Sequence, residues 1–372
     1  LGAQSFKTPN KSKESAGLYV HIPFCASKCG YCDFYSVPHS AELEESYINA
    51  LTCEFSRFVS ENEVNFDTLY LGGGTPSLLS TKSIAKLINT INNSKKCDFK
   101  EITIEANPCD FLKFKDYKAL GFNRISMGVQ TLNDNQLRLL GRRHSAKTAF
   151  TALEEAVKYF ENVSADFIIG IPNESLDGVI SSLESAIKFV KHISLYILTL
   201  SNQCAMRGKD LPNDDNTADI YYKASNFLAQ NGCHGYEISN FCKQGYESLH
   251  NLKYWTRAPY LGIGASAHSF INGFRFENTA DINAYIKNAG LKANCVKITQ
   301  EDALFEEIML GLRLNSGINI EAIGKDYGIN FCDKFKTQLS YLKNALTLNG
   351  NILSINSDMR LLQSAIVKEF MV

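Results

Sequence analysis

Tyr19-Val-His-Ile-Pro-Phe-Cys25-Ala-Ser-Lys-Cys29-Gly-Tyr-Cys32-Asp-Phe34 is the stretch on which the fold turns. Three cysteines at C-x3-C-x2-C spacing follow a short apolar run that reads as a buried strand, Leu18–Ile22. Thiolates from one such loop can reach three irons of a [4Fe–4S] cubane, which takes four ligands in all. No fourth cysteine follows, since Asp33 and Phe34 come next, so one iron is left to bind a small chelating molecule. Two other readings stand beside this one. Zinc would want paired ligands from two places and could draw on Cys233 and His234. The three thiols could also be incidental to a tight loop.

Outward from this loop, β-like runs alternate with amphipathic stretches. The expected strands are Leu18–Ile22, Thr68–Leu71, Ile102–Glu105, Arg124–Val129, Ala165–Ile169 and Ser194–Thr199. Between them lie helical stretches at Ala41–Phe58, Lys82–Asn92, Phe111–Leu120, Ala146–Phe160 and Val179–Val190. In the last, Val179, Leu183, Ala186 and Val190 share one face, as a helix covering a sheet requires. Strand–helix alternation predicts a parallel α/β sheet, here a partial (β/α)6 barrel, with a doubly wound flat sheet as the alternative. The unusual residues favour the barrel. The cysteines follow strand one, Gly72-Gly73-Gly74-Thr75-Pro76 follows strand two, Glu105-Ala-Asn107-Pro108 ends strand three, Gln130 follows strand four and Gly170-Ile-Pro172 follows strand five. All fall at the C-terminal strand ends, where barrel active sites are built.

Composition narrows the function classes. The 372 residues carry 38 Lys+Arg against 39 Asp+Glu, a net charge of −1, so no strong field favours nucleic acid or an anionic membrane. No apolar run approaches the ~20 residues needed to span a bilayer. Residues 1–17 are polar, lack the apolar core of a secretory signal, and are expected to be a flexible N-terminus. Eleven cysteines, an odd number and mostly scattered, do not read as a secreted disulfide framework but as a reducing cytoplasm.

The domain expectation is a core over 18–210, an extension over 211–299 and a small helical, winged-helix-like domain over 300–372. Ser201–Asn216 reads as loop, Thr217–Gln230 as helix and Tyr236–Phe241 as strand. His250-Asn-Leu-Lys-Tyr-Trp255 and the Gly-rich Leu261–His268 follow. Phe305, Ile308, Met309 and Leu312 form one apolar helix face, and Phe335, Leu339, Leu342 and Leu346 another. Asp302, Glu306, Glu307 and Glu321 dilute the lysines of this domain, against a DNA-binding role.

The segment Tyr19–Cys32, with Gly72–Pro76, Glu105–Pro108, Ser126-Met-Gly-Val-Gln130 and Asp166-Phe-Ile-Ile-Gly-Ile-Pro172, resembles the radical SAM family. Within it the chain is similar to the branch of oxygen-independent coproporphyrinogen III oxidase and its heme-chaperone paralogue. The resemblance runs from Leu18 through the C-terminal domain. It implies that Cys25, Cys29 and Cys32 hold the cluster and that the open iron takes S-adenosylmethionine. It implies further cofactor contacts from Tyr19, Tyr31, Gly73, Gly74, Thr75 and Glu105. Gln130, Arg142 and Asp166 match contacts that the oxidase makes to a second cofactor molecule.

Within that branch, two departures disfavour the oxidase. Phe34 stands where the oxidase has a further cysteine, and a long N-terminal extension over the site is not expected from seventeen polar residues. His250-Asn251-Leu252-Lys253-Tyr254-Trp255 instead matches the H-N-x-x-Y-W signature of the chaperone, and a neutral imidazole is a good axial ligand for heme iron. Spacing alone favours the blander reading, in which His250 caps a loop and Tyr254 and Trp255 belong to the core. His21 reads as structural, His39, His144 and His192 as surface, and His268 as lining the cofactor pocket. The resemblance therefore implies a heme-binding protein that passes heme to respiratory membrane proteins, associating peripherally with the membrane. The competing expectation is oxidative decarboxylation in porphyrin biosynthesis, and a weaker one is methyl transfer.

Overall fold

The computed structural model describes residues 15–202 and 204–371. Of the expected flexible N-terminus, residues 1–14 lie outside the described residues, and the first strand already begins at Ala16. Six parallel strands follow in order: β1 (Ala16–Ile22), β2 (Phe66–Gly73), β3 (Cys97–Ala106), β4 (Arg124–Gln130), β5 (Asn162–Ile169) and β6 (His192–Ile197). Helices α1 (Ala41–Glu61), α2 (Thr81–Asn92), α3 (Phe114–Ala119), α4 (Asp134–Leu139), α5 (Ala146–Tyr159) and α6 (Leu176–Ala186) connect them. Their starts are written in the sequence: Ser40, Ser80, Ser145 and Ser175 each accept a backbone N–H three residues on, the usual N-cap.

The sheet is a barrel that does not close. Its order is β12-β11-β10-β9-β1-β2-β3-β4-β5-β6-β8-β7, where β7 is His234–Gly235, β8 Asn240–Cys242, β9 Tyr260–Ile263, β10 His268–Ile271, β11 Phe274–Asn278 and β12 Lys292–Lys297. Strand β9 pairs parallel with β1, in register Leu18 with Leu261 and Val20 with Ile263. The Gly-rich Leu261–Ile263 is thus a seventh parallel strand. Gly262 permits it, because a Cβ there would stand 2.2 Å from the His268 carbonyl oxygen. The expected strand Tyr236–Phe241 is instead a turn between two short strands, β8 antiparallel to β6 and β7 antiparallel to β8.

Alternation along the strands sets two different faces. Leu18, Val20, Leu69, Leu71, Ile104, Ile125, Met127, Ala165 and Leu195 are buried in the main core with the helices. The other face is polar. Tyr19 pairs with Tyr70, Tyr70 with Thr103, Thr103 with Arg124, Glu105 with Ser126 and Asp166 with Ser194. Helix α7 (Asp214–Gln230) and α9 (Ile282–Lys287) join the same core through Ile220, Tyr221, Ile282 and Tyr285, so residues 211–299 share it with the first two hundred. Helix α8 (Leu249–Trp255) lies between them in sequence.

Residues beyond 298 form a second core around Leu304, Ile308, Phe331, Phe335, Leu353 and Phe370, with a three-stranded antiparallel sheet. It docks on the first through Glu306 of α10 (Gln300–Gly311), which accepts from Arg257 Nε at 2.7 Å and Arg275 Nε at 2.6 Å.

Candidate functional site

The loop after β1 is fixed by backbone contacts to three other segments. Gly74 and Thr75 donate N–H groups to the carbonyls of Ile22 and Phe24, each at 2.8 Å. Gly30 donates to Leu140 O at 3.2 Å and accepts from Met206 N at 2.9 Å. The Cys204 thiol donates to Tyr31 O at 2.8 Å. Glycine is required at the crossings: a Cβ on Gly74 would stand 2.7 Å from Phe24 O, and one on Gly30 would meet Met206 at 2.9 Å.

Above the loop lies a cavity of about 550 Å³ at the C-terminal ends of the strands. It is lined by Cys25, Cys29, Cys32, Tyr31, Gly73, Gly74, Thr75, Glu105, Gln130, Arg142 and Asp166. Residues that sequence spreads over 142 positions therefore share one mouth. Glu105 is the pivot of its floor, with Oε1 accepting from the Tyr70 hydroxyl at 2.9 Å and Oε2 from Gly73 N at 3.1 Å. Burial pushes the Glu105 carboxyl up to about 7, against the pull of the Tyr70 hydrogen bond. Asp166 is also raised by burial, and Ser126 Oγ reaches both its oxygens at 3.2 Å.

Arg142 supplies the positive charge. Its Nη1 lies 3.4 Å from Cys29 Sγ and 3.5 Å from the Tyr31 hydroxyl, its Nη2 donates to Gly128 O at 2.9 Å, and its buried Nε has no hydrogen-bond partner. Gln130 completes the wall with φ of 67°, in the left-handed region that a non-glycine residue enters at a cost. A donor set of three thiols, a glycine-edged strand end, a carboxylate floor and a guanidinium with one unpartnered N–H fits an iron–sulfur cluster with a zwitterionic sulfonium ligand.

Three residues expected at the site, Tyr19, His250 and His268, are not in this cavity. Tyr19 points into the barrel a layer lower, its hydroxyl 3.0 Å from His21 Nδ1. His250, expected as an open axial ligand, is 1% exposed. Its Nδ1 is 2.9 Å from Thr68 Oγ1 and its Nε2 2.9 Å from the Tyr254 hydroxyl. The HNxxYW segment is helix α8, and its N-terminus enters the barrel from the end opposite the cysteines. Glu101 caps it there, accepting from Leu249 N at 2.9 Å and His250 N at 3.1 Å. With both ring nitrogens engaged and no solvent access, His250 as folded offers nothing to an iron. His268 is exposed beside Glu277 rather than in the pocket, and His144 and His192, expected at the surface, are 4% and 0% exposed.

Sequence reasoning missed Lys28, Arg143, Tyr196 and Ile197, and quoted Asn107 and Ser126 only as parts of motifs without assigning them to the site, yet all six line the cavity. Ser126 and Tyr196 could have been found from strand alternation, since they occupy inward positions two residues from Arg124 and Ser194. Lys28 and Arg143 carry no sequence signal of their own.

The fold and the three-cysteine mouth define a radical SAM protein, and the family model of the Radical SAM superfamily matches residues 19–186. A second model, the HemN C-terminal domain, matches residues 298–357. The chain belongs to the HemW family: it is 36% identical to the heme chaperone HemW of Bacillus subtilis over 341 residues, 87% of this chain and 90% of that one. The HemW of Haemophilus influenzae is also 36% identical, with 92% of each chain covered. A zebrafish protein, the mitochondrial radical S-adenosyl methionine domain-containing protein 1, is 34% identical over 84% of this chain and 76% of its own. Among solved structures, the coproporphyrinogen III oxidase HemN of Escherichia coli superposes with a TM-score of 0.84 over 96% of this chain and 90% of that one; at 23% identity, that likeness is one of fold.

Proposed function

We propose that this protein binds heme and transfers it to respiratory membrane proteins, using a barrel mouth that also holds a [4Fe–4S] cluster and S-adenosylmethionine. Cys25, Cys29 and Cys32 are the cluster ligands. Glu105, Gly73, Gly74, Thr75, Tyr31 and Arg142 hold the cofactor, and Gln130 and Asp166 bound its far side. Held there, a [4Fe–4S] cluster with a sulfonium ligand would supply one-electron chemistry. The chain's own share is to orient the ligand, exclude water at the mouth and set the local charge.

The observation that carries the heme reading is Phe34. Next to the cluster loop, it is 62% exposed at the rim of the cavity, with Tyr196 and Ile197 also exposed. An unpartnered apolar rim at a polar mouth is a binding surface, and flat rings suit a porphyrin face. Lys28 and Arg143, in the same rim, offer cations to propionates. The family's named chaperones support the same reading. The protein works from the cytoplasm as a peripheral partner of its recipients; among the described residues no helix is long and apolar enough to cross a membrane.

The test is anaerobic. Cluster-reconstituted, heme-loaded protein is mixed with vesicles carrying heme-free respiratory enzyme, and heme is followed into the membrane fraction. Transfer that Phe34→Glu abolishes supports the proposal. Turnover of coproporphyrinogen III to protoporphyrinogen IX, with no heme transfer, would overturn it in favour of the oxidase.

A further inference from the structure

The HNxxYW segment is the strongest motif that the mouth does not absorb. Its histidine is buried on the far side of the barrel from the cysteines, yet three contacts join it to the cavity floor. The His250 ring stacks on Tyr70, with centroids 5.2 Å apart and planes at 28°. Tyr70 donates its hydroxyl to Glu105 Oε1 at 2.9 Å. Glu105 Oε2 accepts from Gly73 N, at the edge of the cofactor cradle.

Each link is held in place by its neighbours. Gly17 leaves room for the imidazole, since a Cβ there would stand 3.0 Å from His250 Cε1. Thr68 and Tyr254 fix the ring from both nitrogens. Glu101 pins the helix end that carries it, and Ser248 Oγ donates to the same carboxylate at 3.3 Å. At the other end, Gly72 lets Tyr70 and Glu105 meet; a Cβ there would lie 2.9 Å from the Tyr70 ring and 3.0 Å from Glu105 Oε1. A free Glu side chain loses rotamer freedom on being fixed. A carboxylate already held by two donors has lost that freedom before the ligand arrives.

We infer that His250 is a positioning residue: through the Tyr70 ring it orients the Glu105 carboxylate, so that its loss weakens S-adenosylmethionine binding and leaves heme binding intact. This rests on the reading that the mouth takes that cofactor. It assigns the motif to the cofactor side of the protein rather than to the heme iron.

The test is calorimetric titration of S-adenosylmethionine into the full-length, cluster-reconstituted chain, with iron content and heme titration measured in parallel. Tyr70→Phe is expected to raise the cofactor Kd about tenfold and His250→Ala about fivefold. The double variant should be no weaker than Tyr70→Phe, because the two act through one carboxylate. His250→Phe, which keeps the stack and guards against a failure of the Ala variant to fold, should retain most of the affinity. Heme titration should be unchanged throughout. An unchanged cofactor Kd in His250→Ala, additive losses in the double variant, or equal losses with Phe and Ala would overturn the inference alone. Loss of heme binding with the cofactor Kd intact would overturn it in favour of iron ligation. Failure of the wild type itself to bind S-adenosylmethionine would instead overturn the cofactor reading beneath it.

Discussion

Arg142 reaches Cys29 across the mouth, its Nη1 3.4 Å from the sulfur, while the same side chain is anchored on Gly128 O. A fixed cation beside a cluster thiolate favours the more negative, reduced state. Arg142→Gln should therefore lower the cluster's midpoint potential, by on the order of 50 mV, close to a tenfold change in a one-electron equilibrium. An anaerobic redox titration followed by EPR reads this directly. A potential that rises, or stays put with full iron content, would show that the guanidinium serves the ligand alone.

Glu105 predicts the pH dependence of cofactor binding. Its carboxyl sits at about 7, raised chiefly by burial. The ionised form is the one that accepts hydrogen bonds from ligand hydroxyls. Affinity for S-adenosylmethionine should thus grow as pH rises through 7 and fall below it, approaching tenfold per unit on the acid side. Glu105→Gln should bind weakly with no such slope. A Kd that is flat between pH 6 and 8 in the wild type would sink this assignment.

Burial of His250 makes acid sensitivity. Desolvation pushes its imidazole down to about 3, from an ordinary value near 6.5. The folded state holds the ring neutral, whereas the unfolded chain takes up a proton below pH 6.5. The contribution is complete above pH 6.5 and is lost as pH falls toward 3. Between pH 7.5 and 5 the wild type should lose about 2 kcal/mol relative to His250→Asn, from the ~1.5 pH units spent below 6.5. Urea unfolding of both proteins at the two pH values checks the sign. A gap that widens in favour of the wild type on acidification contradicts it.

The scattered thiols should be dispensable where the clustered ones are not. Cys25→Ala, Cys29→Ala and Cys32→Ala are each expected to lose most of the reconstituted iron. Cys204→Ala should keep it, although Cys204 is buried and donates to Tyr31 O, because that contact steadies the loop without facing the cavity. Its expected cost is about 1 kcal/mol of stability, from one hydrogen bond. Iron and sulfide analysis after anaerobic reconstitution separates the two groups, and iron loss in Cys204→Ala would make it a ligand.

Much of the protein is local and so was legible. Strand positions, Ser N-caps and the C-terminal clustering of odd residues follow from periods and neighbours along the chain. Cys25, Cys29 and Cys32 stand out by spacing and by following a strand, whereas the roles of Gly73, Gly74 and Thr75 come from the family resemblance rather than from their place at a strand end. The tertiary structure decided what depends on registers and crossings far apart in sequence. Pairing of Leu18 with Leu261 turned a Gly-rich stretch into a seventh parallel strand. Chain crossings brought Lys28 and Arg143, which carry no signal of their own, to the same mouth. Most of all, it decided His250. Sequence shows an imidazole in a distinctive motif, but whether a lone pair faces solvent or Thr68 depends on where helix α8 enters the barrel. That entry is set by a carboxylate, Glu101, nearly 150 positions earlier, and a contact at such separation leaves no periodic trace along the chain.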